Sequence, residues 1–137
     1  MNKVAFVEWT EKLSVGIKRI DDQHKRFIGL LNKAHTLVQA KKNKEVNKML
    51  AEVLEYARMH FSTEEEIFDG ASYPYASEHK IEHLKLIEKA IKFYDRVLNK
   101  EDVSDEFLHF LIDWLENHLK KYDFKYAKYF KENKIKV

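Results

Sequence analysis

The sequence predicts an all-α protein, an up-down-up-down four-helix bundle with an extended N-terminal arm and a short C-terminal helical tail. Three observations predict it. Helix breakers are scarce, with 3 Gly and 1 Pro in 137 residues, while good helix formers abound. Apolar residues recur at the i, i+3, i+4, i+7 spacing of a helix face in four successive segments. Short polar connections join those segments, which makes sequential neighbours antiparallel. With 45% hydrophobic residues, the chain suits a single domain over 1–137 that can bury its own core.

Residues 1–20 carry no helical stripe. Trp9, Leu13, Val15, Gly16 and Ile17 read as an arm that packs on the rest. Asp21 or Asp22 is placed to cap the first helix, whose stripe runs through His24, Phe27, Ile28, Leu31, His35 and Val38 until the lysines at Lys41 interrupt it. The second helix spans about Asn43 to Phe68, with Val46, Leu50, Val53, Ala57, His60, Glu64 and Ile67 aligned and Gly70 just past its end. A loop follows, and Ser77 is placed to cap a third helix bearing His79, His83, Leu86, Ala90, Tyr94 and Val97. Asp102 or Ser104 caps the fourth, where Phe107, Leu111, Leu115 and His118 line up. The aromatic tail from Lys121 to Lys134 continues helically and packs back.

Composition removes several function classes. The chain has no Cys, which excludes disulfides, thiolate metal sites and thiol nucleophiles, so any metal must be held by His nitrogen or carboxylate oxygen. Its 25 basic and 23 acidic residues are spread along the sequence, so no field of one sign favours nucleic acid. No stretch approaches the roughly 20 apolar residues of a membrane span. A soluble cytoplasmic protein, monomeric or weakly self-associating, is expected.

The stripes contain a contradiction. Faces aimed at a core should be apolar, yet His24, His60, Glu64, His79, His83 and His118 lie on them, with Asp123 just beyond. A buried ionised group costs several kcal/mol unless it is paired, and a cation pairs many at once. Spacing sharpens this reading. Residues at i and i+4 stand one turn apart on one face, and both His60 with Glu64 and His79 with His83 have that spacing. Asp123 follows His118 by five residues, a rotation of about 140° that suits reaching across to a second ion and favours a local π-type widening. Five imidazoles and two carboxylates are too many for one ion and suit two with shared bridges. Nitrogen and oxygen ligation of this kind fits iron, zinc or copper, and the residues alone leave that choice open. His35 lies about 16 Å along the first helix from His24, and His109 is out of phase with His118, so both read as structural.

The segments WTEKLSVGIKRIDDQHK, HFSTEEE, HKIEH and HLKKYD resemble the bacterial hemerythrin family, and the resemblance covers nearly the whole chain. It implies reversible binding of dioxygen at two iron ions, without enzymatic turnover. One iron would be held by His79, His83 and His118, the other by His24 and His60, with Glu64, Asp123 and an oxo or hydroxo group bridging them. The vacancy on the two-histidine iron would receive dioxygen. It also implies a dry pocket, for which Phe27, Phe61, Trp114, Leu115, Leu119 and Tyr126 are the candidates. An electron-donating or oxygen-accepting protein partner is compatible with this reading and unspecified by it.

Three other readings compete. A ferritin-like oxidase needs Glu-x-x-His on two helices, and this chain has only Glu106-x-x-His109, off the ligand face. HKIEH fits an inverted zinc-protease motif with Glu82 as base, but such proteases need a substrate groove. Sensing of oxygen, redox state or nitric oxide would use the same site with a different output.

Overall fold

The computed structural model describes residues 7–137, so the first six residues of the arm lie outside the described part. Five helices follow the arm: α1 Lys18–Gln39, α2 Asn43–Gly70, α3 Ala76–Leu98, α4 Ser104–His118 and α5 Phe124–Glu132. The arm holds one 3-10 turn, Glu11–Leu13, and a π turn, Leu119–Asp123, fuses α4 to α5. Because the connections at 40–42, 71–75 and 99–103 are short, α1 to α4 run alternately up and down. α1 packs on α2 and α4, and α2 packs on α3. None of the described helices is long and apolar enough to cross a membrane.

Helix ends differ in detail from the sequence reading. α1 starts at Lys18, about one turn earlier than a cap at Asp21 implies. The Asp21 carboxylate instead reaches back to the arm, accepting hydrogen bonds from Ser14 Oγ at 2.5 Å and from the Val15 N–H at 2.9 Å. Gly70 remains helical, and the chain leaves α2 at Ser72, whose φ of 51° is left-handed. The Tyr73 N–H closes that end on the Phe68 carbonyl at 3.0 Å. α3 begins at Ala76, one residue before the expected cap at Ser77. At α4 the cap position is Val103, between the two expected caps, and Ser104 is the first helical residue; the Asp102 carboxylate accepts from the Ser104 N–H at 3.0 Å and from its hydroxyl at 2.6 Å. Tyr94, expected on the buried stripe of α3, is 36% exposed, and Phe93 packs against the core in its place. The α3 stripe there steps by three residues from Ala90 where four was expected, and both steps lie within one helix face.

Two apolar clusters frame the centre of the bundle. Phe27, Leu31, Leu50, Val53, Phe107 and Leu111 belong to the larger, against which Val7, Trp9 and Leu13 of the arm pack. Ile20, Phe68, Tyr126 and Phe130 belong to the other, together with Val15 and Ile17. Asn32 of α1 pins the arm by exchanging two hydrogen bonds with the Val7 backbone, at 3.0 and 2.8 Å. The polar residues of the helix faces lie between these clusters. α1, α2 and α3 contribute to both clusters, while α4 joins the first and its continuation α5 the second, so the His and carboxylate positions fall at one height between them.

Candidate metal centre

α1 brings His24 to this central layer, α2 brings His60 and Glu64, α3 brings His79 and His83, α4 brings His118, and the π turn brings Asp123. All seven are buried, the most exposed at 5%. The π turn supplies the register for the last pair. Its extra residue draws Asp123 to the side of His118, with 3.0 Å between His118 Nε2 and Asp123 Oδ1.

The donor atoms form two groups that share one carboxylate. Glu64, His79, His83 and His118 offer atoms all within 4.8 Å of one another, and so do His24, His60 and Glu64. His24 Nε2 stands 3.1 Å from His60 Nε2 and 3.2 Å from Asp123 Oδ2. His79 Nε2 stands 3.0 Å from His118 Nε2 and 3.1 Å from Asp123 Oδ1. Glu64 Oε1 lies 3.3 Å from His60 Nε2 and 3.1 Å from His83 Nε2. Separations near 3 Å are those of adjacent donor atoms around a cation bonded at roughly 2.1 Å.

Unpartnered atoms test whether a cation fits. Glu64 Oε1 and His83 Nε2 are buried without a hydrogen-bond partner, both in this layer. Such atoms would each cost about 1–3 kcal/mol if left bare, and a cation would satisfy them together. The residues present therefore fit one. All carry nitrogen or oxygen, as the absence of Cys requires.

Neighbouring groups fix which nitrogen faces inward. Gln23 Oε1 accepts from His60 Nδ1 at 2.7 Å, and the Gln23 amide is oriented in turn by donating to Thr63 Oγ1 at 3.2 Å. Glu65 Oε2 accepts from His83 Nδ1 at 2.9 Å. In both imidazoles the Nδ1 proton is thereby held outward, leaving the Nε2 lone pair for a cation. Tyr126 Oη donates to Glu64 Oε2 at 2.6 Å, leaving Oε1 as the inward oxygen. Stacking restrains the rings: Phe61 lies 3.8 Å from His83, and Trp114 lies 4.3 Å from His118.

Electrostatics follow from burial and the two carboxylates. Burial pushes His60 down to about 4, and it pushes His83 down to about 3 with help from the charge of His79. Burial also acts to lower His24 and His118, but the charge and hydrogen bonds of Asp123 outweigh it and both are raised. Burial would raise Asp123, yet the charge of His118 and hydrogen bonds from His118, His24 and His79 hold it well below the usual carboxylate range. Tyr126 is pushed far up by burial and by the charge of Glu64, so its hydroxyl stays a donor.

Of the expected pocket residues, Phe27, Phe61, Trp114 and Leu115 line a cavity of about 10 Å³ together with His24, His60 and Asp123. Leu119 lines a neighbouring cavity of about 50 Å³, which shares His24 and Leu115 and extends outward to Trp9 and Leu13. Tyr126 is on neither wall. It sits on the other side of Glu64, because its ring packs with Phe68 and Phe130 while its hydroxyl is held by that carboxylate. His35 is buried 11 residues along α1 from His24, and His109 is exposed with its Nδ1 donating to the Asp105 carbonyl at 2.9 Å. Glu82, the base of the protease reading, pairs with Lys85 at 3.2 Å. Two positions that hold these imidazoles carry no signal in the sequence: Glu65 lies off the buried stripe of α2 yet is half-buried against His83, and Gln23 has no spacing signal because its partner His60 is on another helix.

A bundle whose inner faces converge five imidazoles and two carboxylates defines a class, the helical proteins that hold cations between facing helices without a porphyrin. Comparison with known proteins narrows it. The chain belongs to the hemerythrin family: the model described as Hemerythrin HHE cation binding domain matches residues 15–130. It is 36% identical to a bacteriohemerythrin of Stenotrophomonas maltophilia (strain R551-3), covering 90% of this chain and 81% of the relative. Identity to a bacteriohemerythrin of Methylococcus capsulatus (strain Bath) is 30%, over 90% of this chain and 96% of the relative. A crystal structure of wild-type hemerythrin superposes with a TM-score of 0.83 at 29% identity, covering 90% of this chain and 97% of that one.

Proposed function

We propose that this chain, as one hemerythrin-like domain, binds dioxygen reversibly at two iron ions. The proposed ligands are His79, His83 and His118 for one ion, His24 and His60 for the other, and Glu64 and Asp123 for both, with a solvent-derived oxo or hydroxo bridge. Two ferrous ions would supply the two electrons that dioxygen takes up and returns, with a free coordination position on the side that has fewer imidazoles.

One observation carries this reading. The small cavity lies on the two-imidazole side, bounded by His24, His60 and Asp123 and otherwise by Phe27, Ala57, Phe61, Trp114 and Leu115. A volume of about 10 Å³ is close to one small-probe sphere, so a diatomic gas suits it and a larger substrate does not. Its walls beyond the proposed ligands are aromatic and aliphatic, with no further carboxylate or imidazole among them. Apolar walls disfavour water, which supports release of the bound gas unchanged over turnover. Gln23 and Glu65 hold the His60 and His83 protons outward, and Tyr126 holds Glu64 in one orientation throughout.

Metal analysis with an optical spectrum tests the proposal. The purified, iron-supplied protein is expected to hold two irons per chain, and the reduced form to change colour in air and revert when oxygen is withdrawn. A single metal, or oxidation that does not reverse, overturns it.

A further inference from the structure

Basic side chains are less evenly spread than the sequence as a whole suggests. Residues 119–137 carry seven Lys against two acidic residues, Asp123 and Glu132, while the preceding 118 residues carry 18 basic and 21 acidic ones. A chain of net charge +2 is thus a basic tail on a slightly acidic body. α5 turns Tyr126 and Phe130 inward and leaves Lys125, Lys128 and Lys131 exposed.

Where α5 and the residues after it face the arm, a groove of about 900 Å³ opens. Val15, Ile17 and Phe130 form its apolar floor, and Lys12, Lys128, Lys131 and Lys136 stand around it. No Asp or Glu is among the described residues that line it. Lys128 has a loose exposed contact with Glu132 at 3.9 Å, while Lys12, Lys131 and Lys136 form no ion pair among the described residues. An apolar floor within a charged rim is the anatomy of a protein interface, and uncompensated cations steer an acidic surface toward it.

The floor also communicates with the metal centre. The Phe130 ring lies 5.7 Å from that of Tyr126, whose hydroxyl donates to Glu64 at 2.6 Å. Only two side chains separate the groove from the shared carboxylate.

We propose that this groove docks a small acidic electron-transfer protein that reduces the oxidised centre along Phe130, Tyr126 and Glu64. The use of the groove rests on the di-iron reading above. Each encounter transfers one electron, oxidising one donor molecule and converting one ferric ion to ferrous, so two donors restore the pair. Concavity favours a protein over a lipid surface. Phe130 is 4% exposed and lies beneath the lysine heads, where a protruding apolar side chain reaches and a flat bilayer does not.

The test uses the iron-loaded protein, with its iron content measured first, and a strongly acidic plant-type ferredoxin as probe. Calorimetric titration gives affinity, and stopped-flow absorbance gives the rate at which the reduced ferredoxin re-reduces the air-oxidised centre. Lys128→Glu with Lys131→Glu is compared with Lys44→Glu with Lys48→Glu at the opposite end of the bundle. The tail pair is expected to weaken binding by roughly tenfold and slow reduction in step, with wild-type binding falling as salt rises and the distal pair within about twofold of wild type. Absence of binding, equal loss in both pairs, or binding to phosphatidylglycerol vesicles in place of ferredoxin overturns the proposal. If ferredoxin binding is lost only in the tail pair while iron content is not two per chain, the docking surface stands and the di-iron reading falls.

Discussion

Glu64 is the residue on which both donor groups turn. Its Oε1 lies within 3.9 Å of His60, His79 and His83, and its Oε2 is held by Tyr126 at 2.6 Å. Glu64→Ala is therefore expected to lose one or both irons, read as metal per chain after gel filtration, because each group keeps too few anionic donors. Gln23 acts at one remove. Replacing it by Leu frees the His60 ring to turn or to change tautomer, and iron affinity measured against a chelator should fall by about 10- to 100-fold. Leu115 borders both cavities, so Leu115→Ala should merge them and admit water. Its expected cost is about 2–5 kcal/mol in urea unfolding, with faster irreversible oxidation of the reduced protein in air; an unchanged oxidation rate would remove Leu115 from the barrier.

At the scale of the element, the helix faces were legible because burial repeats with the helical period. His24, Phe27, Leu31, Val53, His60, Leu86, Leu111 and His118 are buried as their spacing implies. Helix ends were less legible. A start is decided by whichever polar group reaches the free N–H groups, and several candidates stand within a turn of each other. Asp102 shows this, since its carboxylate holds Ser104 and also accepts from Asn43 Nδ2 at 2.8 Å. Hydrogen bonds from Ser104 and Asn43 lower it to about 2 from an ordinary 3.8. A carboxylate depressed on folding adds stability above its unfolded value and loses it as pH falls through the folded one, so this contribution should fade between about pH 4 and 2. Asp102→Ala is expected to cost about 1 kcal/mol at neutral pH, with the difference from wild type disappearing in acid.

For the whole molecule, the centre couples cation binding to folding. Carboxylates and imidazoles brought together in one buried layer need neutralising, so chelation of the metal should lower the thermal midpoint. The sign of the pH dependence in the metal-free protein follows from the shifts. His60 and His83, depressed to about 4 and about 3, lose stability as pH falls below their ordinary 6.5. His24 and His118, raised on folding, lose it as pH rises above 6.5. Stability without metal should therefore peak near pH 6.5, and iron loading should remove the alkaline decline, as calorimetry across pH would show. The seven proposed ligands stood out in the sequence because each breaks an apolar stripe. Gln23, Glu65 and the lysine-rimmed groove did not, because each depends on which helix lies beside which.

The five-residue π turn makes the chain length between positions 118 and 124 a fixed quantity. Adding or removing a residue in the connections at 40–42 or 99–103 would change only how two helix ends are joined. The same edit inside the turn would twist everything downstream by about 100°, drawing Asp123 from its partners and swinging Tyr126 and Phe130 toward solvent. Insertion scanning should accordingly find a stretch where one extra codon abolishes iron retention and tail packing together, flanked by stretches that tolerate it.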